Sequence, residues 1–387
     1  MSNIFIIGIV SKAITISVFT SSRADFFPAK PLLEKLLGHP KFNLSLIVSG
    51  GHLLKSQGYT INSIIEMGFS PAEIIPFLND DTPNEPLTAS TSRLFDTLSD
   101  YFLKYPPDLL FLLGDRFEIL TVANAAVLLN IPIAHVSGGD LTLGAIDNKM
   151  RHAVSMLSDW HFPGTNSSAL RLQEMGIELN RICMCGELGL EAILCTPTLS
   201  KERLIKTLQL DSNLPFVACT FHPETVGNKI SPQFVVDVIK TVLNSLNCQV
   251  VVTAANFDFG GNQINEYVKS LSLQNERVHY FENLGSELYF SLLKYACLLI
   301  GNSSSAIIES QSIGIPAINI GERQKGRITN PNTISCDASL DEIKKSINIA
   351  TSNEFKSNFN ASSNYYGDGN SSLKIISFLE NKIFSNA

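Results

Sequence analysis

The stretch Gly301-Asn302-Ser303-Ser304-Ser305-Ala306-Ile307-Ile308-Glu309 decides how this chain is read. The apolar run 297–300 before it has the pattern of a buried strand, and the run 306–312 predicts a short helix. A strand, a turn of small residues and a helix start together make a site for an anion. The first helical N–H groups lack internal partners, and the helix dipole adds about half a positive charge there. Glycine and serine let a phosphate approach the backbone. Glu309, about one turn further on, is placed to accept hydrogen bonds from a sugar diol. The same residues also describe an ordinary serine-capped helix, so the rest of the chain has to choose.

Outward from this stretch, strands alternate with helices. Strands are expected at 215–220, 248–253, 277–281, 297–300 and 316–320 in the second half, and at 14–20, 44–48, 73–77, 108–113, 131–136, 160–162 and 181–185 in the first. Helices are expected near 27–37, 61–66, 90–105, 117–129, 149–158, 341–350 and 371–384. This is an α/β pattern, and it predicts two Rossmann-like, doubly wound domains. The expected division is an extension at 1–12, a first domain at 13–186 and a second at 187–368, with a break at 186–197. Ligands of such folds sit beyond the carboxyl ends of the strands, where this chain places its polar clusters. If the domains face each other, those clusters converge on one cleft.

Composition narrows the function. The chain has 387 residues, 44% of them hydrophobic and 17% charged, which suits a globular protein with large cores. A formal net charge of −7 argues against bulk binding of nucleic acid or an anionic membrane. The apolar run 4–10 is far shorter than the ~20 residues of a membrane span. Seven cysteines, mostly in apolar runs, suit reduced thiols in a cytoplasmic protein. His and Cys are scattered, so no metal set is expected.

The strand ends supply the chemistry. Asp115, Arg116 and Glu118 follow the fully apolar run 108–113, where a carboxylate is expected to be desolvated into a useful base. The competing reading is a helix cap with a surface ion pair. His222 precedes Pro223 after a strand and is read as a phosphate contact, a general acid or a turn histidine. Gly138-Gly139-Asp140 permits close backbone approach, and Asp147 reads as the natural cap of the next helix. Arg151-His152 reads as a surface pair on that helix. The segment 321–327, with Arg323, Lys325 and Arg327, suits a pyrophosphate or a solvated basic loop.

Four blocks in this order and spacing resemble the hydrolysing UDP-N-acetylglucosamine 2-epimerases of sialic and legionaminic acid synthesis. They are Thr20-Ser-Ser-Arg23-Ala-Asp25, Gly114-Asp115-Arg116-Phe117-Glu118, the segment from Gly138-Gly139-Asp140 to Asp147 and Arg151-His152, and Gly301 to Glu309 with Asn319-Ile-Gly321-Glu-Arg323-Gln. The resemblance implies the glycosyltransferase-B architecture, with residues 369–387 crossing back to the first domain as a helix. It implies neither metal nor nicotinamide, a UDP-sugar as the partner, and a homodimer or homotetramer. It assigns acid/base roles to Asp115, Asp147 and Asp140, and places His222 near the leaving phosphate. Arg23, Arg116, Asn256, Ser303, Ser304, Ser305, Glu309 and Arg323 are implied at the UDP-sugar, with Glu309 on the ribose. Many members carry an acidic residue where this chain has Ser137, and an acidic pair where it has Asp147-Asn148. The segment 141–147 looks like that of members acting on 2,4-diacetamido-trideoxy sugars. The rival readings are a glycosyltransferase of the same fold and a catalytically dead nucleotide-sugar-binding module.

Overall fold

Two parallel six-stranded sheets follow from the apolar runs. The computed structural model describes residues 13–82, 85–143, 146–224, 230–255, 260–359 and 364–384, so the expected extension at 1–12 lies outside the described residues. The first sheet contains Ile14–Thr20 (β1), Phe42–Ser49 (β2), Pro71–Ile75 (β3), Leu109–Leu113 (β4), Ile133–Val136 (β5) and Trp160–Phe162 (β6). Its order is β3-β2-β1-β4-β5-β6. The second contains Phe216–Thr220 (β7), Gln249–Thr253 (β8), Val278–Phe281 (β9), Leu298–Gly301 (β10), Ala317–Ile320 (β11) and Thr333–Cys336 (β12), in the order β12-β11-β10-β7-β8-β9. Every pairing is parallel. Each sheet therefore reverses direction beside its first strand, between β1 and β4 and between β7 and β10. Those two crevices are where ligands of doubly wound sheets lie. β4 and β7 are buried at every residue, because helices cover both faces.

Several local expectations are corrected. Residues 181–185 form no strand: a 3-10 turn at Leu179–Arg181 is followed by a single bridge from Ile182 to His161. β12 is not among the expected strands, because it is a four-residue edge strand with little apolar signal. The helix after β1 starts at Arg23 instead of residue 27. Asp25 accepts the N–H groups of Ser21 and Ser22, each at 3.0 Å, and this organises the first turn ahead of Pro28. The break at 186–197 carries a helix, Leu188–Cys195.

That helix locks a long-range crossing. Helix Ser371–Phe384 packs Ile375, Ile376 and Leu379 into the first domain's core beside Leu32, Phe162 and Leu188. Each such side chain contributes roughly 1.5–3 kcal/mol when fully buried. Glu191 fixes the helix start: its Oε2 accepts the Ser372 N–H at 2.6 Å, and its Oε1 takes the Lys35 ammonium at 3.0 Å. Glu191 is buried while Lys35 is one-third exposed, so most of the cost of losing this carboxylate falls on the orphaned Ser372 donors. Glu191→Ala is expected to destabilise the fold by about 2 kcal/mol, read as a lower urea midpoint. An unchanged midpoint would show that the crossing helix does not depend on this carboxylate.

Candidate active site

The acidic end of the cleft forms where β4 and β5 finish. Buried His135, on β5, approaches the Gly114 carbonyl through Nε2 at 2.8 Å and Ser155 Oγ through Nδ1 at 3.2 Å. It fixes the turn that presents Asp115. Burial, ahead of all other causes, brings this imidazole down to about 4, so it is a neutral strut. Asp115 is paired with the Arg151 guanidinium. Arg151 also donates to the Asp140 carbonyl at 3.0 Å and to Thr142 Oγ1 at 3.1 Å. Arg151 is buried, which corrects the expected surface pair. Asp115 thus faces a buried guanidinium, in place of the apolar wall or surface ion pair expected from sequence.

Asp140 is buried, with the Ser168 hydroxyl bonded to its Oδ1. Burial raises its carboxyl above the usual range, against the pull of Arg327, Ser168 and Arg171. Asp147 is the first residue of helix Asp147–Leu157, where the sequence suggested a cap for a helix starting at 149. Asn148 closes the loop ahead of that helix, its Oδ1 accepting the Thr142 N–H at 2.9 Å.

The anion end is built differently from expectation. Residues 306–312 do not form one helix; a 3-10 turn at Ser304–Ala306 is followed by a four-residue helix, Ser310–Ile313. Ile307 and Ile308, in the turn between these two short pieces, pack against Tyr366. The cradle therefore relies on turn N–H groups, hydroxyls and Arg323, without a helix dipole. Asn302 holds it, accepting the His222 N–H at 2.7 Å and donating to the His222 carbonyl at 2.8 Å. The Arg323 guanidinium and the Gln324 amide donate to the Asn302 carbonyl at 3.2 and 3.0 Å. Gly301 is obligatory: at φ +144°, a Cβ there would lie 1.9 Å from the Thr220 carbonyl oxygen. Burial and then Arg323 bring His222 down to about 3, leaving a neutral imidazole.

Arg327 joins the two ends electrostatically. Its charge acts on Asp140, Arg151, Glu187 and Glu309. The loop that carries it meets the first domain directly, with the Leu143 N–H donating to the Lys325 carbonyl at 3.1 Å. Glu187 is the carboxylate that sequence reasoning missed. Its Oε2 accepts the Ser137 hydroxyl at 2.9 Å, so a carboxylate stands beside the position where the sequence showed none. An acid between Cys185-Gly186 and the apolar run that begins at Leu188 was the available signal.

The remaining expected residues scatter. Arg23 lines an interdomain cavity of about 590 Å³ with Lys55, Gln57, Asn262 and Lys269. Ser305 and Glu309 line another, of about 550 Å³, with Phe27, Gly189 and Tyr289. Arg116 is nearly half exposed and donates to Glu118 at 2.8 Å. Ser303 caps the turn by accepting the Ser305 N–H at 3.4 Å, and Ser304 is half-buried in it. Asn256 lies outside the described residues. Among the described residues, no group of His, Cys, Asp and Glu is arranged to hold a metal, and no helix is long and apolar enough to cross a membrane.

Glu309 yields a pH prediction. Burial pushes its carboxyl up to about 7, against its own backbone, Arg327 and Ser305, and its Oε2 is buried with no hydrogen-bond partner. An acid raised by folding holds an extra proton in the native state. Its contribution to stability is complete below about 4.5 and is lost as pH rises through about 7. Glu309→Gln should therefore raise the urea midpoint in mildly alkaline buffer and flatten its fall across that window. A pH dependence identical to that of the unaltered protein would refute the assignment.

Comparison with known proteins places this geometry. A family model described as UDP-N-acetylglucosamine 2-epimerase matches residues 34–380. The GDP/UDP-N,N'-diacetylbacillosamine 2-epimerase (hydrolyzing) of Campylobacter jejuni is 35% identical over 346 residues, 89% of each chain. The polysialic acid biosynthesis protein P7 of Escherichia coli is 32% identical over 95% of this chain and 93% of its own. The UDP-N,N'-diacetylbacillosamine 2-epimerase (hydrolyzing) of Legionella pneumophila is 31% identical, over 93% and 94%. Among solved structures, the Neisseria meningitidis UDP-GlcNAc 2-epimerase bound to UDP-GlcNAc superposes with a TM-score of 0.80 at 18% identity, over 94% of this chain and 99% of that one. That likeness supports the fold, two Rossmann-like domains in the glycosyltransferase-B arrangement. With the family model spanning most of the chain and relatives at 31% identity or more along nearly all of it, the chain belongs to the UDP-N-acetylglucosamine 2-epimerase family, in its hydrolysing branch.

Proposed function

We propose that this protein converts a UDP-linked 2-acetamido sugar into UDP and the free 2-epimer, by anti elimination to a glycal and then hydration. The observation that carries this reading is the charge layout. Carboxylates gather around buried Arg151 at one end, hydroxyls and Arg323 form an anion cradle at the other, and Arg327 acts on both.

The chemistry needs each part. In the elimination, Asp115 takes the C2 proton, the C–H electrons form the C1–C2 double bond, and the C1–O bond breaks with its electrons leaving on UDP. Arg151 orients Asp115 through its ion pair. Negative charge grows on the leaving phosphate, where fixed donors stabilise it without reorganising. Arg323, the 303–305 turn and neutral His222 are those donors, and Glu309 holds the ribose. In the hydration, water adds its oxygen at C1 and a proton returns to C2 on the opposite face. Asp140 and Asp147 serve the proton transfers of this step. The diacetylbacillosamine names of the two hydrolysing relatives support a 2,4-diacetamido-trideoxy sugar as substrate, ahead of the N-acetylglucosamine that would give N-acetylmannosamine. Either product suits nonulosonic (sialic or legionaminic) acid synthesis.

Proton NMR in D2O with each UDP-sugar tests this. Free UDP together with a 2-epimer deuterated at C2 is expected. UDP release without deuterium at C2 would replace elimination by hydrolysis or transfer, and binding without turnover of either sugar would leave a binding module. Asp115→Asn is expected to lower kcat ~10²–10⁴-fold with UDP affinity unchanged. Arg323→Ala should weaken UDP binding roughly 10–100-fold, as loss of a charge-assisted hydrogen bond would. Equal losses of kcat and UDP affinity in both variants would refute the division of labour.

A further inference from the structure

Glu187 is built as more than a structural carboxylate. It sits just after Gly186, whose φ is +90°, and its N–H donates to the Tyr366 carbonyl at 2.8 Å. Its side chain points at the turn after β5, not at solvent. Oε2 accepts the Ser137 hydroxyl at 2.9 Å, while Oε1 is buried with no hydrogen-bond partner. Gly164 lies so close that a Cβ there would be 2.0 Å from Oε1, so the pocket fits one carboxyl group and excludes a bulkier wall. Ser137 is held at φ +58°, an unfavourable conformation for a serine. Ser137 is half-buried, so the hydroxyl bonded to the buried Glu187 carboxyl belongs to a residue partly open to solvent.

We propose that Glu187 is a proton store for the cleft, reached through the Ser137 hydroxyl. When a donor in the cleft gives a proton to Ser137 Oγ, the hydroxyl's own proton crosses to Glu187 Oε2. One O–H bond forms at each oxygen, while the old Ser137 O–H bond and the donor's own bond to its proton break. The negative charge passes from Glu187 to the donor, and no redox partner is needed. Resting on the elimination–hydration reading, the donor is the water whose oxygen bonds to the sugar C1. Glu187 acts through Ser137 and is a positioning and relay residue.

Its surroundings suit a proton store. Asp140 faces Glu187 from the segment after β5, Arg151 from helix 147–157, Arg327 from the loop after β11, and Cys185 and Tyr366 from their own segments. Burial, then the Asp140 charge, pushes the carboxyl up to about 7, against Ser137, Arg327 and Arg151. A group at that position loads and releases a proton near neutrality.

The test compares Glu187→Gln, Ser137→Ala and the double variant on the full chain. Each single change is expected to lower kcat ~10–100-fold with UDP affinity within about twofold, and the double variant should lose no more than either single one. The limb of the kcat–pH profile near pH 7 should vanish in both single variants. Additive losses with the limb intact, or kcat within about threefold of the unaltered protein, would overturn the proposal. If Glu187→Gln fails to fold, Ser137→Ala alone carries the kinetic test, because it leaves the buried carboxyl in place. Infrared spectroscopy separates this proposal from the epimerase reading. A protonated carboxyl band that titrates near neutrality, disappears in Glu187→Gln and shifts in Ser137→Ala is expected even without turnover. Absence of that band would overturn the store, while a present band with no sugar turnover would overturn only the epimerase reading.

Discussion

Both polar atoms of one buried amide hold the peptide of His222. Asn302 accepts its N–H and donates to its carbonyl, and the Asn302 carbonyl in turn anchors Arg323 and Gln324. Three strand ends, those of β7, β10 and β11, therefore meet on one residue, through its side-chain amide and its backbone carbonyl. The close approach that allows this exists only because Gly301 has no Cβ to strike Thr220. Fixed donors of this kind stabilise a leaving phosphate because they are already oriented before charge develops. An aspartate could accept at that place but could not donate, and the second bond would be lost.

The acidic end rests on a different principle. Asp140 and Glu187 are both buried and both raised above the ordinary carboxyl range, with burial the leading cause in each. Asp115 is paired with the Arg151 guanidinium, which is held to the segment after β5 by the Asp140 carbonyl and Thr142. A carboxylate paired with a guanidinium thus stands near carboxyls that burial raises. Acid and base work at a single pH needs such a difference in environment.

The sheets are legible in the sequence because a parallel strand covered on both faces must be continuously apolar. Leu109–Leu113 and Phe216–Thr220 have no other reading in a chain of alternating helices. β12 escapes because an edge strand half-covered on one side carries half the signal. The organising stretch does lie at a strand end, yet its expected helix is divided into a 3-10 turn and a four-residue helix, with Ile307 and Ile308 packed on Tyr366, about sixty residues away. Arg151 and Glu187 are hard to read for the same reason. A charged residue on a helix or in a linker looks solvated until a distant segment covers it, and that cover comes from tertiary approach alone.

The crossing of helix Ser371–Phe384 has a consequence for synthesis. Its apolar face completes the core beneath β1, β4 and β6, yet it leaves the ribosome about 200 residues after β6. At ~5–20 residues per second, the nascent first domain waits roughly 10–40 s with that surface uncovered. In that interval the second sheet is also being made, and its strands are equally apolar. The core of the first domain is thus complete only after the second sheet has been synthesised.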